Sequence, residues 1–256
     1  MKILLRLSFL GTQYCGYQIQ PNGVTVQQRL NEATQGLFGF PCDIVGCSRT
    51  DSGVHAKDFC VTVTEKGKSD LQTPVPIERV PQAIACFLPE DISVLSAQWV
   101  SDSFHPRYDV SFKEYEYRIW NEPTRNPFLL DRAWHCPKKM EQADIDRMNE
   151  AAQTWIGTHD FASYMASGSK IVDTTRTVYD AKIVRDTDGC LVFRVSANGF
   201  LYHMVRILMG TLMEVGYGRL TAKDVCAITE AHDRTRAGQT APACGLYLNR
   251  VVYETL

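Results

Sequence analysis

The residues with most chemical potential lie in one short run, Gly46-Cys47-Ser48-Arg49-Thr50-Asp51-Ser52-Gly53-Val54-His55-Ala56. Arg49 and Asp51 stand two positions apart, so on an extended backbone both side chains project the same way. A guanidinium held beside a carboxylate keeps it ionised, and an ionised Asp serves as nucleophile or general base. The run falls between two expected strands, where a loop presents side chains into a cleft. A plainer account competes. Asp-Ser-Gly is a common turn sequence, Arg49 would then sit in a surface salt bridge, and residue chemistry alone favours that account.

The elements that must hold this run follow from periodicity. Ile3, Leu5, Leu7 and Phe9 alternate with Lys2, Leu4, Arg6 and Ser8, a strand pattern. Thr25 and Gln28 have capping-box spacing, and Val26, Leu30, Ala33 and Leu37 mark one helix face. Strands are expected over 43–48 and 59–64, with 49–57 as the loop between them. Val80, Ile84, Phe87 and Leu88 indicate a second helix, and residues 92–100 a closing strand. The plan then repeats. Residues 110–120 alternate, with Tyr115, Tyr117 and Ile119 opposite Glu114, Glu116 and Arg118. Ile145, Met148, Ala152 and Trp155 mark a helix, and 178–184 with 191–197 form a hairpin across Asp186-Thr187-Asp188-Gly189. A buried helix from about Phe200, a helix after Thr221 with Asp224 completing its cap, and a strand over 246–253 follow. Each half reads β-α-β-β-α-β, the split βαβ or ferredoxin-like pattern. The expected class is therefore α+β, two ferredoxin-like halves over 1–105 and 106–256 with mainly antiparallel sheets.

Composition narrows the function classes. The chain has 256 residues, 45% hydrophobic and 22% charged, with a formal net charge of -2, which is ordinary globular composition. Near-neutral charge does not announce a nucleic-acid partner, so any basic cleft must be local. The nine cysteines include no C-x-x-C and no Cys/His pair at zinc spacing, so no metal is called for. An odd count inside apolar stretches suits thiols used as small core residues in a reducing cytosol. Charge interrupts the N-terminus too early for a secretory signal. The apolar stretch from Phe200 to Val215 contains His203, Arg206 and Glu214 and is too short to span a bilayer.

Several separated motifs, in order along nearly the whole chain, resemble the tRNA pseudouridine synthase A family. Arg49-Thr50-Asp51 and Gly53-Val54-His55-Ala56 match its G-R-T-D-A-G-V-H-A signature, with Ser48 for Gly and Ser52 for Ala. Gly11 to Gln20 looks like its D-G-x-x-Y-x-G-W-Q-x-Q segment, departing at Thr12-Gln13 and carrying Tyr17 where Trp is common. Phe104-His105-Pro106-Arg107 resembles F-H-A-R, Lys113 to Tyr117 its K/R-x-Y-x-Y strand, Asn198 to Arg206 its A-F-x-x-H-M-V-R helix, and Gly245-Leu246-Tyr247-Leu248 its G-L-Y-L.

The resemblance implies a cytoplasmic, cofactor-free homodimer that converts uridine to pseudouridine in the anticodon stem-loop of tRNA, at positions 38, 39 and 40. It implies two ferredoxin-like halves around a central cleft. Asp51 becomes the catalytic carboxylate, by attack on C1′, attack on C6 or a glycal route. Arg206 matches the arginine that pairs with it. An Arg within Met204-Val205 and Ile207-Leu208-Met209 needs such a partner, because an unpaired buried charge is expensive. Tyr115 matches the base-stacking tyrosine, though pattern alone makes it a core aromatic. Leu246 would supply an apolar wall. Arg49 would contact phosphate or fill the space of the flipped base. His55 and His203 fit local hydrogen bonding better than catalysis. Arg107, Lys113, Arg118 and Arg125 are candidates for the RNA backbone, but the interleaved Glu114, Glu116 and Glu122 equally describe a solvated face.

Rival functions fare worse. A non-catalytic RNA-binding protein of RRM type lacks an RNP1 run. A hydrolase using Asp51 or Ser52 lacks a G-x-S-x-G elbow or a second placed carboxylate. Ser167-Gly168-Ser169-Lys170 lacks P-loop spacing.

Overall fold

The protein is described from a computed structural model over residues 1–169 and 171–254. Lys170 of the Ser167–Lys170 stretch weighed above as a phosphate site lies outside the described residues. The chain divides into two compact units, Met1–Ser111 with Leu248–Leu256, and Phe112–Tyr247.

The first unit runs β1 (Lys2–Phe9), α1 (Val26–Phe38), β2 (Cys42–Gly46), β3 (His55–Glu65), α2 (Val80–Ile84) and β4 (Ile92–Val100). Its sheet order is β4-β1-β3, with β2 also on β3, and these pairings are antiparallel. That is the split βαβ arrangement expected from periodicity. Leu5, Leu7, Phe59 and Val61 on the strands and Val26, Leu30 and Ala33 on α1 are all fully buried. Thr25 caps α1, its hydroxyl accepting from the Gln28 N–H. The box is only half made: among the described residues the Thr25 N–H does not bond the Gln28 side chain, whose amide nitrogen donates to Glu32.

Three local differences matter. β3 begins at His55, so strand pairing consumes the end of the expected 49–57 loop and tightens it. α2 has one helical turn before a 3₁₀ turn over Ala85–Phe87, and Phe87 is exposed rather than core. Leu4, on the polar side of the β1 alternation, is buried, and Arg6 on the same side pairs with Asp58 at 2.7 Å.

The second unit runs β5 (Val110–Trp120, from Phe112), β6 (Trp134–His135), α3 (Gln142–Gln153), β7 (Gly157–Asp160), β8 (Thr175–Arg185), β9 (Leu191–Ala197), α4 (Met204–Gly216), α5 (Ala222–Ala231) and the start of β10 (Leu246–Tyr253). Its sheet order is β5-β9-β8-β7, all antiparallel, with β6 a short parallel addition to β5. Edge strand β7 was not expected from the pattern, because four residues are too few to show a period. α5 has the full capping box between Thr221 and Asp224. α4 starts four residues after Phe200. His203 occupies the left-handed region at φ 60, which holds Phe200–Tyr202 outside the helix.

Both units are mixed α and β with mainly antiparallel sheets, an α+β architecture. Not every thiol is core: Cys86 is exposed, and Cys15, Cys226 and Cys244 are partly exposed, while the other five are buried. Among the described residues there is no disulfide, and no helix is long and apolar enough to cross a membrane.

Candidate active site

The Asp51 turn is held by the segment before α1, and mostly through main chain. The Tyr17 N–H donates to the Thr50 carbonyl at 3.3 Å, and the Gly53 N–H to the Tyr14 carbonyl at 3.4 Å. The Ser52 hydroxyl donates to that same Tyr14 carbonyl at 3.1 Å. The Val54 N–H closes the turn on the Asp51 carbonyl at 3.2 Å. Gly11 donates to His55 Nδ1 at 2.9 Å, so that ring is neutral with its proton on Nε2, and it is fully buried at the head of β3.

Two glycines allow this approach. A Cβ on Gly11 would stand 2.0 Å from the Val54 carbonyl oxygen. One on Gly16 would stand 2.4 Å from the Thr50 carbonyl oxygen, and Gly16 has φ +81, where side chains are strained. The Gly11–Tyr17 segment and the 50–55 turn are therefore one piece of packing, although the sequence separates them by α1 and β2. Tyr17 completes the floor, its ring 4.4 Å from Phe59 and directly beneath Gly46. The result presents Asp51 half-buried and Arg49 exposed, with Arg49 forming no ion pair among the described residues of this unit.

In the second unit Tyr115 is buried on β5, opposite Val195 of β9, with its ring edge-on to Phe200 at 4.9 Å. Tyr117 lies on the same face, its hydroxyl donating to the Pro242 carbonyl at 2.7 Å, and burial pushes its pKa up. Arg206, half-buried on α4, donates from Nε to the Ala241 carbonyl at 2.7 Å, and the Ala241 N–H returns a bond to the Arg206 carbonyl. The 238–242 segment thus ties α4 to β5. It runs against the helix where Gly210 leaves room, since a Cβ there would stand 1.8 Å from the Gln239 carbonyl oxygen. Leu246 follows, buried, after Gly245, whose bare Cα fits against the Tyr117 ring and the Arg118 carbonyl.

The other face of β5 departs from the solvated face considered above. Glu116 is buried, accepting from Arg118 at 2.9 Å and lying 3.5 Å from Arg194, its register partner on β9. Arg118 also reaches Asp186 at 3.3 Å and pairs with Asp188 in the β8–β9 turn. Burial works against the Arg118 charge, but Glu116 and Asp188 outweigh it and push its pKa up. A guanidinium committed to three carboxylates is a brace across β5, β9 and their neighbouring turn. It is removed from the set of RNA-backbone candidates, which leaves Arg107, Lys113 and Arg125.

Within the second unit the structure thus groups Tyr115, Arg206 and Leu246 around β5, α4 and the 238–246 segment. Within the first it seats Arg49 and Asp51 on one turn. Sequence inspection missed Tyr14, Ala241 and the Glu116 brace. The signal for Glu116 was weak: a Glu flanked by two buried tyrosines on an alternating strand reads as outward. Among the described residues no cluster of His, Cys, Asp or Glu is arranged to hold a metal ion.

Over most of its length the chain is also similar in sequence to known proteins. The family described as tRNA pseudouridine synthase matches residues 151–254. A protein from Thermoanaerobacter sp. (strain X514), tRNA pseudouridine synthase A, is 41% identical over 251 residues, covering 98% of this chain and 99% of the relative. Its counterpart of the same name from Bacillus pumilus (strain SAFR-032) is 41% identical over 256 residues, covering 99% of this chain and 100% of the relative. The Clostridium acetobutylicum protein, also tRNA pseudouridine synthase A, is 40% identical over 251 residues, covering 98% and 99%.

Proposed function

We propose, for a chain that belongs to the tRNA pseudouridine synthase A family and so isomerises uridine to pseudouridine in tRNA, that Asp51 is the catalytic carboxylate and that the substrate is the anticodon stem-loop at positions 38, 39 and 40. The N1–C1′ bond breaks, the uracil turns, and C5 bonds to C1′. The C5 proton leaves to solvent and N1 gains one, so the reaction needs neither a redox partner nor a second substrate.

The observation that carries the assignment is the turn itself. A half-buried carboxylate sits on a backbone pinned at Thr50, Ser52, Gly53 and Val54, which is the preorganisation that attack or proton removal at a sugar demands. Arg206 is proposed as the cation for that carboxylate. Tyr115 is proposed to stack on the extruded base, a contact of about 1–3 kcal/mol that offsets a flipping cost of a few kcal/mol. Leu246 walls the base. Arg49, exposed and without an ion pair among the described residues of its own unit, is proposed to meet phosphate or to fill the flipped base's place. The 1–105 half is then the carboxylate half and the 106–256 half the base-binding half. The protein is proposed to act as a homodimer in the cytoplasm, where its tRNA substrate is found.

The test uses tRNA labelled with tritium at uridine C5, without added metal or nucleotide. Isomerisation at C5 releases tritium into water, whereas binding or glycosidic hydrolysis does not. Asp51→Asn is expected to abolish release while tRNA retention on a filter persists. Normal turnover by that variant refutes the assignment. Retention should also fall steeply with added salt if phosphate contacts hold the RNA.

A further inference from the structure

We propose that Asp91 and Tyr14 are positioning residues for Asp51, acting through the Tyr14 main-chain carbonyl; this rests on Asp51 being the catalytic carboxylate. The turn's outer half hangs on that one carbonyl, which accepts from both the Ser52 hydroxyl and the Gly53 N–H. The segment carrying it is neither helix nor strand beyond a single 3₁₀ turn over Gly11–Gln13, so regular backbone pairing does not stiffen it. It is tied at Gly11 to His55 and at Cys15 to the Val24 carbonyl, and Asp91, on the connection into β4, adds two further ties. Its carboxylate accepts from the Tyr14 hydroxyl at 2.5 Å, and its main-chain carbonyl accepts from the Leu10 N–H at 3.0 Å.

One residue thus grips the segment at Leu10 and at Tyr14, either side of the 3₁₀ turn. Tyr14 is buried, and that burial together with the Asp91 carboxylate raises its pKa, so the phenol stays a proton donor to Asp91. The path runs from Asp91 through the Tyr14 ring and backbone to Ser52 and Gly53, the two residues after Asp51. A charge-assisted hydrogen bond of this kind is short and directional, which suits a brace whose task is to fix a position. Neither Asp91 nor the Tyr14 hydroxyl has to touch RNA for this.

The experiment measures kcat and KM by tritium release, with filter retention of tRNA and the unfolding midpoint, for Tyr14→Phe, Asp91→Ala, Asp91→Asn and the Tyr14→Phe/Asp91→Ala pair. Asp51→Asn is run in parallel. Loss of the brace is expected to lower kcat about tenfold while KM and retention stay within about twofold. Asp91→Asn, which still accepts from the phenol, should fall between wild type and Asp91→Ala. The double variant should be no slower than the slower single variant, because both remove one bond.

Unchanged kcat in soluble, folded Tyr14→Phe overturns the proposal, as does a rise in KM at constant kcat, which would make these residues RNA contacts. Should Asp91→Ala fail to fold, Tyr14→Phe and Asp91→Asn decide alone. If Asp51→Asn is inactive and Tyr14→Phe is fully active, only the brace fails. If Asp51→Asn turns over normally, the catalytic assignment fails and the proposal with it.

Discussion

The Asp51 turn and strand β5 carry their key side chains by opposite means. The turn is held largely by main-chain groups and by glycines that let backbones touch, with the Tyr14, Ser52, His55 and Asp91 side chains adding ties. Strand β5 is held by ladder register on β9 and, on the face away from Tyr115, by the ion cluster of Glu116, Arg118, Arg194, Asp186 and Asp188. A turn built on close backbone approach tolerates changes of charge but not of volume. A strand braced by buried ions tolerates modest changes of volume but not the loss of one charge. The two regions should therefore fail under different kinds of substitution.

The sharpest break of that contrast is Glu116→Ala, which leaves two arginines short of a buried carboxylate. Removing one partner of a buried pair costs about 3–5 kcal/mol, and the lower end is expected because Asp186 and Asp188 still hold Arg118. Urea unfolding measures it, and a loss below about 1 kcal/mol would show that the cluster does not brace the strand. Gly16→Ala comes next. A Cβ 2.4 Å from the Thr50 carbonyl oxygen, at φ +81, is expected to cost on the order of 2–3 kcal/mol and to lower tritium release more than tRNA retention. Full activity there would mean that the turn is not held by backbone contact.

Tyr17→Phe sharpens the comparison from the other side. The Tyr17 hydroxyl is buried with no hydrogen-bond partner among the described residues, so its removal should leave stability unchanged or raise it by about 1 kcal/mol. A fall of similar size in the thermal unfolding midpoint's free-energy equivalent would show that the hydroxyl is bonded.

The smallest effect is pH dependence at His105 in the first unit. Burial, then Arg107, lowers its pKa below the ordinary 6.5, and its Nδ1 accepts from the Arg107 N–H at 3.1 Å. The folded state therefore binds the proton less readily than the unfolded chain. Its stabilising contribution is present above pH 6.5 and is lost as pH falls through the depressed folded value. Comparing unfolding free energies at pH 7 and pH 5 for wild type and His105→Gln should show a smaller acid loss in the variant. An equal loss assigns the pH effect elsewhere.

Much of the fold was legible where one period ran without interruption. β4, β5, β9 and β10 have the ends expected from alternation, and α5 has the expected cap. Helix starts and short elements were less legible. His203 in a left-handed conformation delays α4, the proline-led α2 stops after one turn, and β7 is too short for a period to register. The chemistry-bearing turn was visible as a motif, and its resemblance to a known family carried further than its physics, since Asp-Ser-Gly alone describes any turn.

Sequence by itself determined the strand and helix order, because side-chain periodicity is a local property that survives without partners. It determined the family, because ordered motifs over most of the chain are jointly specific. Only tertiary structure decided that Gly11–Tyr17 is the seat of the 50–55 turn and that Glu116 is buried among arginines. Those facts concern groups brought together from far along the chain, where hydrogen-bond distance, excluded volume and desolvation act. A list of residues contains none of these quantities until the backbone has closed around them.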